Sequence, residues 1–144
     1  MPFIKTYIHF VFSTKNRESF LHSHDLRKQV WNHIRKNAIE KNICIDFING
    51  YPDHCHILIS LGTDQTIRKV MQLIKGESSF WINKNNLCKT KFEWQEEYYA
   101  ASVSHSMPNR VRNYIKNQEE HHRTKSFQKE YSELIQSPPD KSSG

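Results

Sequence analysis

The sequence predicts an α+β fold, on three observations. Segments rich in β-branched and aromatic residues recur at positions 3–12, 43–48, 54–61 and around 98–104. Between them lie two stretches with apolar residues three and four apart, and a third such stretch follows the last strand. The resulting order is β-α-β-β-α-β and then a helix. This is the split βαβ, or ferredoxin-like, sandwich: an antiparallel sheet with helices on one face, plus a C-terminal helix. The 144 residues suit one domain, taken as 1–136, with 137–144 as a flexible tail.

Each element has a local reason. Residues 3–12 carry Ile4, Tyr7, Ile8, Phe10, Val11 and Phe12, types that pack well on a pleated surface. The polar, partly basic stretch Ser13-Thr14-Lys15-Asn16-Arg17 then forms a loop. A helix follows over 24–41, with Leu26, Val30, Trp31, Ile34 and Ala38 on one face and Arg27, Lys28 and Lys36 on the other. Residues 43–48 alternate as a strand, 49–53 turn, and 54–61 return antiparallel. Thr63 or Asp64 is the expected N-cap of a second helix, which has Ile67, Val70, Met71 and Ile74 at helical spacing and runs through Gly76 to about residue 82. A fourth strand falls near 98–104. Ser106 then caps a third helix that admits Pro108 in its first turn and aligns Val111, Tyr114, Ile115 and Gln118.

Composition narrows the function classes. The formal charge is +6, which favours a polyanionic partner without establishing one. The three cysteines, Cys44, Cys55 and Cys88, are widely spaced and form no CxxC, so a disulfide scaffold or zinc ribbon is not expected and a reducing compartment fits. No apolar run approaches the length of a membrane span, and the first residues do not read as a secretory signal. The expectation is a small soluble protein with no membrane partner.

Two local patterns carry chemistry. His54-Cys55-His56 lies in a strand, where side chains alternate, so the two imidazoles share a face while Cys55 and Asp53 are expected to point away. Such a pair can converge on one divalent cation and leave much of its coordination sphere open. An isolated pair is more often two histidines bonded to backbone or water, and spacing alone leaves both readings open. Tyr114 and Gln118 stand at i and i+4 on one helical face. A tyrosine hydroxyl can attack a phosphodiester, and an amide oxygen can join a metal shell. A lone tyrosine on an amphipathic helix more commonly just packs, and spacing does not show that helix and strand meet.

Several motifs in one order change the balance. They are HFVFSTK from His9 to Lys15, GYPDHCHILIS from Gly50 to Ser60, KGESS from Lys75 to Ser79, Trp94-Gln95, and VRNYIKNQEEHH from Val111 to His122. Over roughly residues 5–134 the chain resembles the single-tyrosine transposases of the histidine–hydrophobic–histidine endonuclease superfamily, encoded by small insertion sequences and including REP-associated relatives. The resemblance implies a homodimer acting on single-stranded DNA, with hairpins at the element ends. It implies that His54, His56 and Gln118 hold Mg²⁺ or Mn²⁺ against the scissile phosphate. Tyr114 would attack the phosphorus, leaving a 3′-hydroxyl and a 5′-phosphotyrosine, and would complete the site of the other subunit. The expected place of action is the cytoplasm, at the nucleoid.

The chain departs from the family pattern in two places. Cys55 stands where Val or Leu is commoner, and Glu97-Tyr98-Tyr99-Ala100-Ala101 replaces a Gly-Tyr-Gly-Ala-Phe stretch. Neither touches a proposed catalytic group. Lys15, Arg17, Lys75, Ser78 and Ser79 are candidate DNA contacts, each with a solvated surface role as the alternative. Tyr51, Phe80 and Trp81 are candidates for stacking on bases, with packing the expected role of Trp81. His9 on the first strand is either a neighbour of the metal site or a core histidine, and one of His121 and His122 is a candidate to face the site without being a ligand. The competing class is a non-catalytic or domesticated nucleic-acid-binding or nicking protein on the same fold.

Overall fold

The structure, a computed structural model, describes residues 6–103 and 108–116. Its elements are β1 (Tyr7–Ser13), α1 (His24–Glu40), β2 (Cys44–Tyr51), β3 (His54–Ser60), α2 (Ile67–Lys84), β4 (Tyr99–Val103) and α3 (Pro108–Lys116). The strands form one antiparallel sheet in the order β2-β3-β1-β4. This is the sheet order of the predicted split βαβ arrangement.

The local signals account for most boundaries. Ser23 caps α1 by accepting a hydrogen bond from the Leu26 N–H. The second helix starts later than expected, because the hydroxyl of Thr66, not Thr63 or Asp64, accepts from the Lys69 N–H. The residues before it are held in a turn by Gln65 N–H donating to the Gly62 carbonyl, which ends the competition for the cap. The β2–β3 connection is also tighter than the expected 49–53 turn: β2 continues through Tyr51, leaving only Pro52 and Asp53 between the strands. Lys15–Arg17 forms a single turn of 3₁₀ helix with Asn16 and Arg17 at positive φ, 57° and 55°. The expected Ser106 cap, Gln118, His121, His122 and the 137–144 tail lie outside the described residues.

Both sheet faces are covered. Ile8, Phe10 and Phe12 of β1 and Cys55, Ile57 and Ile59 of β3 face α1 and α2, where Val30, Trp31, Ile34, Met71 and Ile74 complete the larger core. The alternate residues Tyr7, Val11 and Leu58 face the other way and pack on Val111, Tyr114 and Ile115 of α3. The two long helices therefore share one face, as expected, and the third helix takes the opposite one. Burying both faces explains why β1 and β3 read as near-continuous apolar runs instead of alternating. Among the described residues, no helix is long and apolar enough to cross a membrane.

Gly50 is a point of close approach between α1 and the hairpin. A Cβ at this position would lie 2.3 Å from the His54 carbonyl oxygen and 2.8 Å from Cζ2 of Trp31. Backbone on one side and a packed indole on the other leave no cheap adjustment. Gly50→Ala is expected to destabilise the domain by about 1–3 kcal/mol, the usual range for overpacking, read as a lower urea midpoint with unchanged m-value.

Candidate active site

The register of β1 and β3 assembles the site. His56 pairs with Val11, His54 with Ser13, and His9 with Leu58. Residues paired across antiparallel strands share a face, so His9, His54 and His56 all lie on the α3 side. On the other flank of β3, Asn49 pairs with His56 and Tyr51 with His54. The three imidazoles are buried, with at most 1% of each residue exposed.

Each ring is held through a defined atom. The Asp53 carboxylate accepts from Nδ1 of His54 at 2.7 Å, and its other oxygen lies 3.4 Å from the Arg17 guanidinium. Asp53 was expected to point away from the pair. It sits in the two-residue turn, outside the strand, so alternation does not govern it and its carboxylate swings back onto the ring. Nδ1 of His56 makes a 3.0 Å hydrogen bond with Nε2 of His9. Burial lowers the His9 pKa from 6.5 to about 3, so that ring is neutral near pH 7. His54 and His56 meet edge to face with centroids 4.9 Å apart. Tyr51 flanks His54 at 6.0 Å.

The third helix brings Tyr114 to the same place. Its ring lies 5.7 Å from that of His56 and 6.4 Å from that of His9, edge-on to both. Tyr114 is 7% exposed. Two polar ties fix α3 over β2: Arg112 grips Asp46 in a bidentate pair at 2.5 and 2.7 Å, and Asn49 Nδ2 donates to the Lys116 carbonyl at 3.2 Å. Tyr114 thus stands beside the histidines of its own chain.

The donor set fits a divalent cation in part. With Nδ1 of each ring engaged by Asp53 or His9, Nε2 is the nitrogen placed to ligate, and in His56 that atom is buried. Two imidazoles need further oxygen ligands, and among the described residues no three His, Cys, Asp or Glu side chains group as a metal site. A phosphate oxygen, water or an amide such as that of Gln118 would have to complete the shell.

The remaining candidates are spread more widely. Lys15 pairs with Glu93 at 3.3 Å, and Arg17 with Asp53, which connects it to His54. Lys75 Nζ donates to the carbonyls of Gln95 and Glu96 at 2.6 and 2.8 Å, bracing the segment before β4, and burial lowers its pKa. Lys75 and Ser79 line an open groove of about 550 Å³ that also includes Arg68, Trp94 and Tyr98, away from the histidines. Ser78 is fully buried: its hydroxyl donates to the Ile74 carbonyl and accepts from the Trp94 indole N–H, so it is a packing contact and not one presented to solvent. Trp81 stacks on His33 with centroids 4.0 Å apart, while Phe80 is 64% exposed. Cys55 faces the helix side, fully buried, and burial pushes its thiol pKa well up.

Sequence reasoning did not assign the ring-holding roles of Asp53 and His9 or the Arg112–Asp46 tie. The first was adjacent to the motif, and its signal was its place in the turn. The second depends on β1 lying beside β3, and the third on α3 packing over β2.

The family described as IS200-like transposases matches residues 3–118. Among solved structures, a protein of Deinococcus radiodurans R1 described as a transposase superposes with a TM-score of 0.66 at 20% identity, covering 81% of this chain and 93% of its own. A REP-associated tyrosine transposase bound to a REP hairpin gives 0.62 at 20% identity, covering 85% of this chain and 72% of its own. No curated protein matches.

The Arg112–Asp46 pair makes a testable contribution to the site. Asp46→Asn keeps the shape but removes the charge. Partly exposed pairs are worth about 1 kcal/mol, so amide exchange in α3 is expected to rise roughly fivefold, with β1 and β3 unchanged. Equal exchange in α3 would show that the helix is held by its apolar face alone.

Proposed function

This chain belongs to the family of IS200-like transposases, and from that premise we propose that it cleaves and rejoins single-stranded DNA through a covalent 5′-phosphotyrosine. The observation that carries the proposal is the meeting of Tyr114 with His54 and His56 on one sheet face. The DNA would carry hairpins at its ends, a reading supported by the hairpin bound to the REP-associated neighbour. The working unit would be a homodimer, acting in the cytoplasm on nucleoid DNA.

In the first step the Tyr114 oxygen attacks the scissile phosphorus. The O–P bond to tyrosine forms as the phenol gives up its proton, the P–O3′ bond breaks, and the 3′-oxygen takes up one proton and leaves as a hydroxyl. An incoming 3′-hydroxyl then reverses the exchange and joins new ends. One phosphodiester is traded for another ester of similar energy, so no nucleotide cofactor is required. Mg²⁺ or Mn²⁺, held by His54 and His56 with Gln118, would supply Lewis-acid polarisation of the phosphate. Asp53 and the buried sheet keep the His54 ring in place before substrate arrives, which lowers the reorganisation needed in the transition state. Lys15, Arg17, Lys75 and Ser79 are the proposed contacts to the DNA backbone, Arg17 closest to the site through Asp53.

The burial of Tyr114 favours a second reading, a binding module that never exposes its tyrosine. One experiment separates the two. Single-stranded DNA from the gene's flanks is incubated with the protein and Mg²⁺ or Mn²⁺, with and without EDTA, then run on a denaturing gel. A covalent adduct that needs the metal and disappears in Tyr114→Phe is expected. A native-gel shift with no adduct under any condition would instead establish the binding module, and an adduct persisting in the variant would assign another nucleophile.

His54→Ala and His56→Ala are each expected to reduce adduct formation by at least 100-fold at fixed metal, while leaving the native-gel shift intact. Loss of the shift together with the adduct would place these rings in DNA binding instead.

A further inference from the structure

We propose that His9 is a positioning residue that selects the nitrogen of His56 available to a metal ion. The inference deepens the reading of His54 and His56 as ligands and rests on it. His9 and His56 sit diagonally on neighbouring strands, both essentially without exposure, with Nε2 of one 3.0 Å from Nδ1 of the other. Their rings lie nearly face to face, at 30° with centroids 5.2 Å apart. One proton sits between these two nitrogens, and its owner decides the chemistry. If His56 donates from Nδ1, its Nε2 keeps a lone pair. If His9 donates from Nε2, the proton of neutral His56 moves to its own Nε2, and that atom can no longer ligate.

The rest of the site argues for the first arrangement. His54 is already held in that way, with Nδ1 donating to Asp53. A second ring held through Nδ1 makes the pair equivalent, with the two Nε2 atoms as the ligating positions. In ligand shells generally, a partner on the other ring nitrogen fixes both tautomer and orientation. A carboxylate at position 9 would hold His56 equally well, but it would bury a charge in the sheet. An imidazole performs the same task without charge, at lower desolvation cost. The assignment also accounts for a histidine in a strand whose other buried residues are mostly apolar.

Mn²⁺ binding to the full chain without DNA, followed by electron paramagnetic resonance of the free ion, tests the assignment independently of activity. His9→Phe keeps the shape but offers no acceptor. His9→Gln carries an amide oxygen at comparable reach. His9→Phe is expected to weaken Mn²⁺ binding 10- to 100-fold, while His9→Gln stays within a few-fold of the parent. Equal binding by all three, or equal weakening in both variants, would overturn the proposal. If the parent binds no Mn²⁺, or His56→Ala binds as the parent does, the metal-ligand reading fails first and the inference falls with it.

The second measurement needs no variant at position 9. Nitrogen chemical shifts of the histidine rings in the metal-free parent, with His56→Ala for assignment, report which nitrogen of His56 is protonated. A proton on Nδ1 supports the proposal, and a proton on Nε2 overturns it even if His9→Phe does not fold.

Discussion

The pairing of β1 with β3 brings the candidate site histidines together. Seven consecutive residue pairs, from Tyr7 opposite Ser60 to Ser13 opposite His54, place three histidines on one side and an unbroken apolar row on the other. A slip of one residue would turn every side chain of a strand to the opposite face. His9 would then enter the packing under α1 and α2, and Phe10 would take its place beside His56. The large apolar side chains on the helix face oppose that slip, so the packing of the main core also holds the site in register. Tyr114 obeys the same constraint, because α3 docks on Tyr7, Val11 and Leu58 of the same two strands.

Polar groups are buried here at a cost that their partners offset. Removing imidazoles from water without hydrogen bonds would cost several kcal/mol. The hydrogen bonds from Asp53 to His54 and between His9 and His56 return much of this. Arg17, beyond Asp53, extends the chain to the surface and balances the carboxylate charge. Both Asn16 and Arg17 adopt the left-handed backbone region, which is unfavourable for residues with a Cβ. The 3₁₀ turn that places Arg17 against Asp53 is therefore held by its surroundings, including the hydrogen bond from the Asn16 N–H to Gln95.

The element order was legible because periodicity is a local property. Leu26, Val30, Trp31 and Ile34 announce α1 from any reading of the sequence, and the HxH alternation puts His54 and His56 on one face from geometry alone. The cap of α2 was misplaced because Thr63, Asp64 and Thr66 are all competent caps, and only the Gly62–Gln65 turn decides among them. Asp53 was misdirected because the turn is two residues long, a fact of hairpin closure that composition does not show. That His9 meets His56 depends on β1 lying next to β3, a pairing between residues 47 positions apart. The role of Ser78 was obscured for a similar reason: a serine in a basic helical motif resembles a surface donor until Trp94, from a distant loop, is seen to occupy it.

The sheet also divides the protein's inheritance. Along β1 and β3, one set of alternate positions builds the larger core and the other seats α3 around three histidines, with a single backbone between them. Substitutions on the side under α3 can accumulate without dissolving the larger core, and repacking under α1 and α2 can proceed without altering which rings converge. A variant can lose the histidines and keep the larger core, because the two sets of side chains meet different helices.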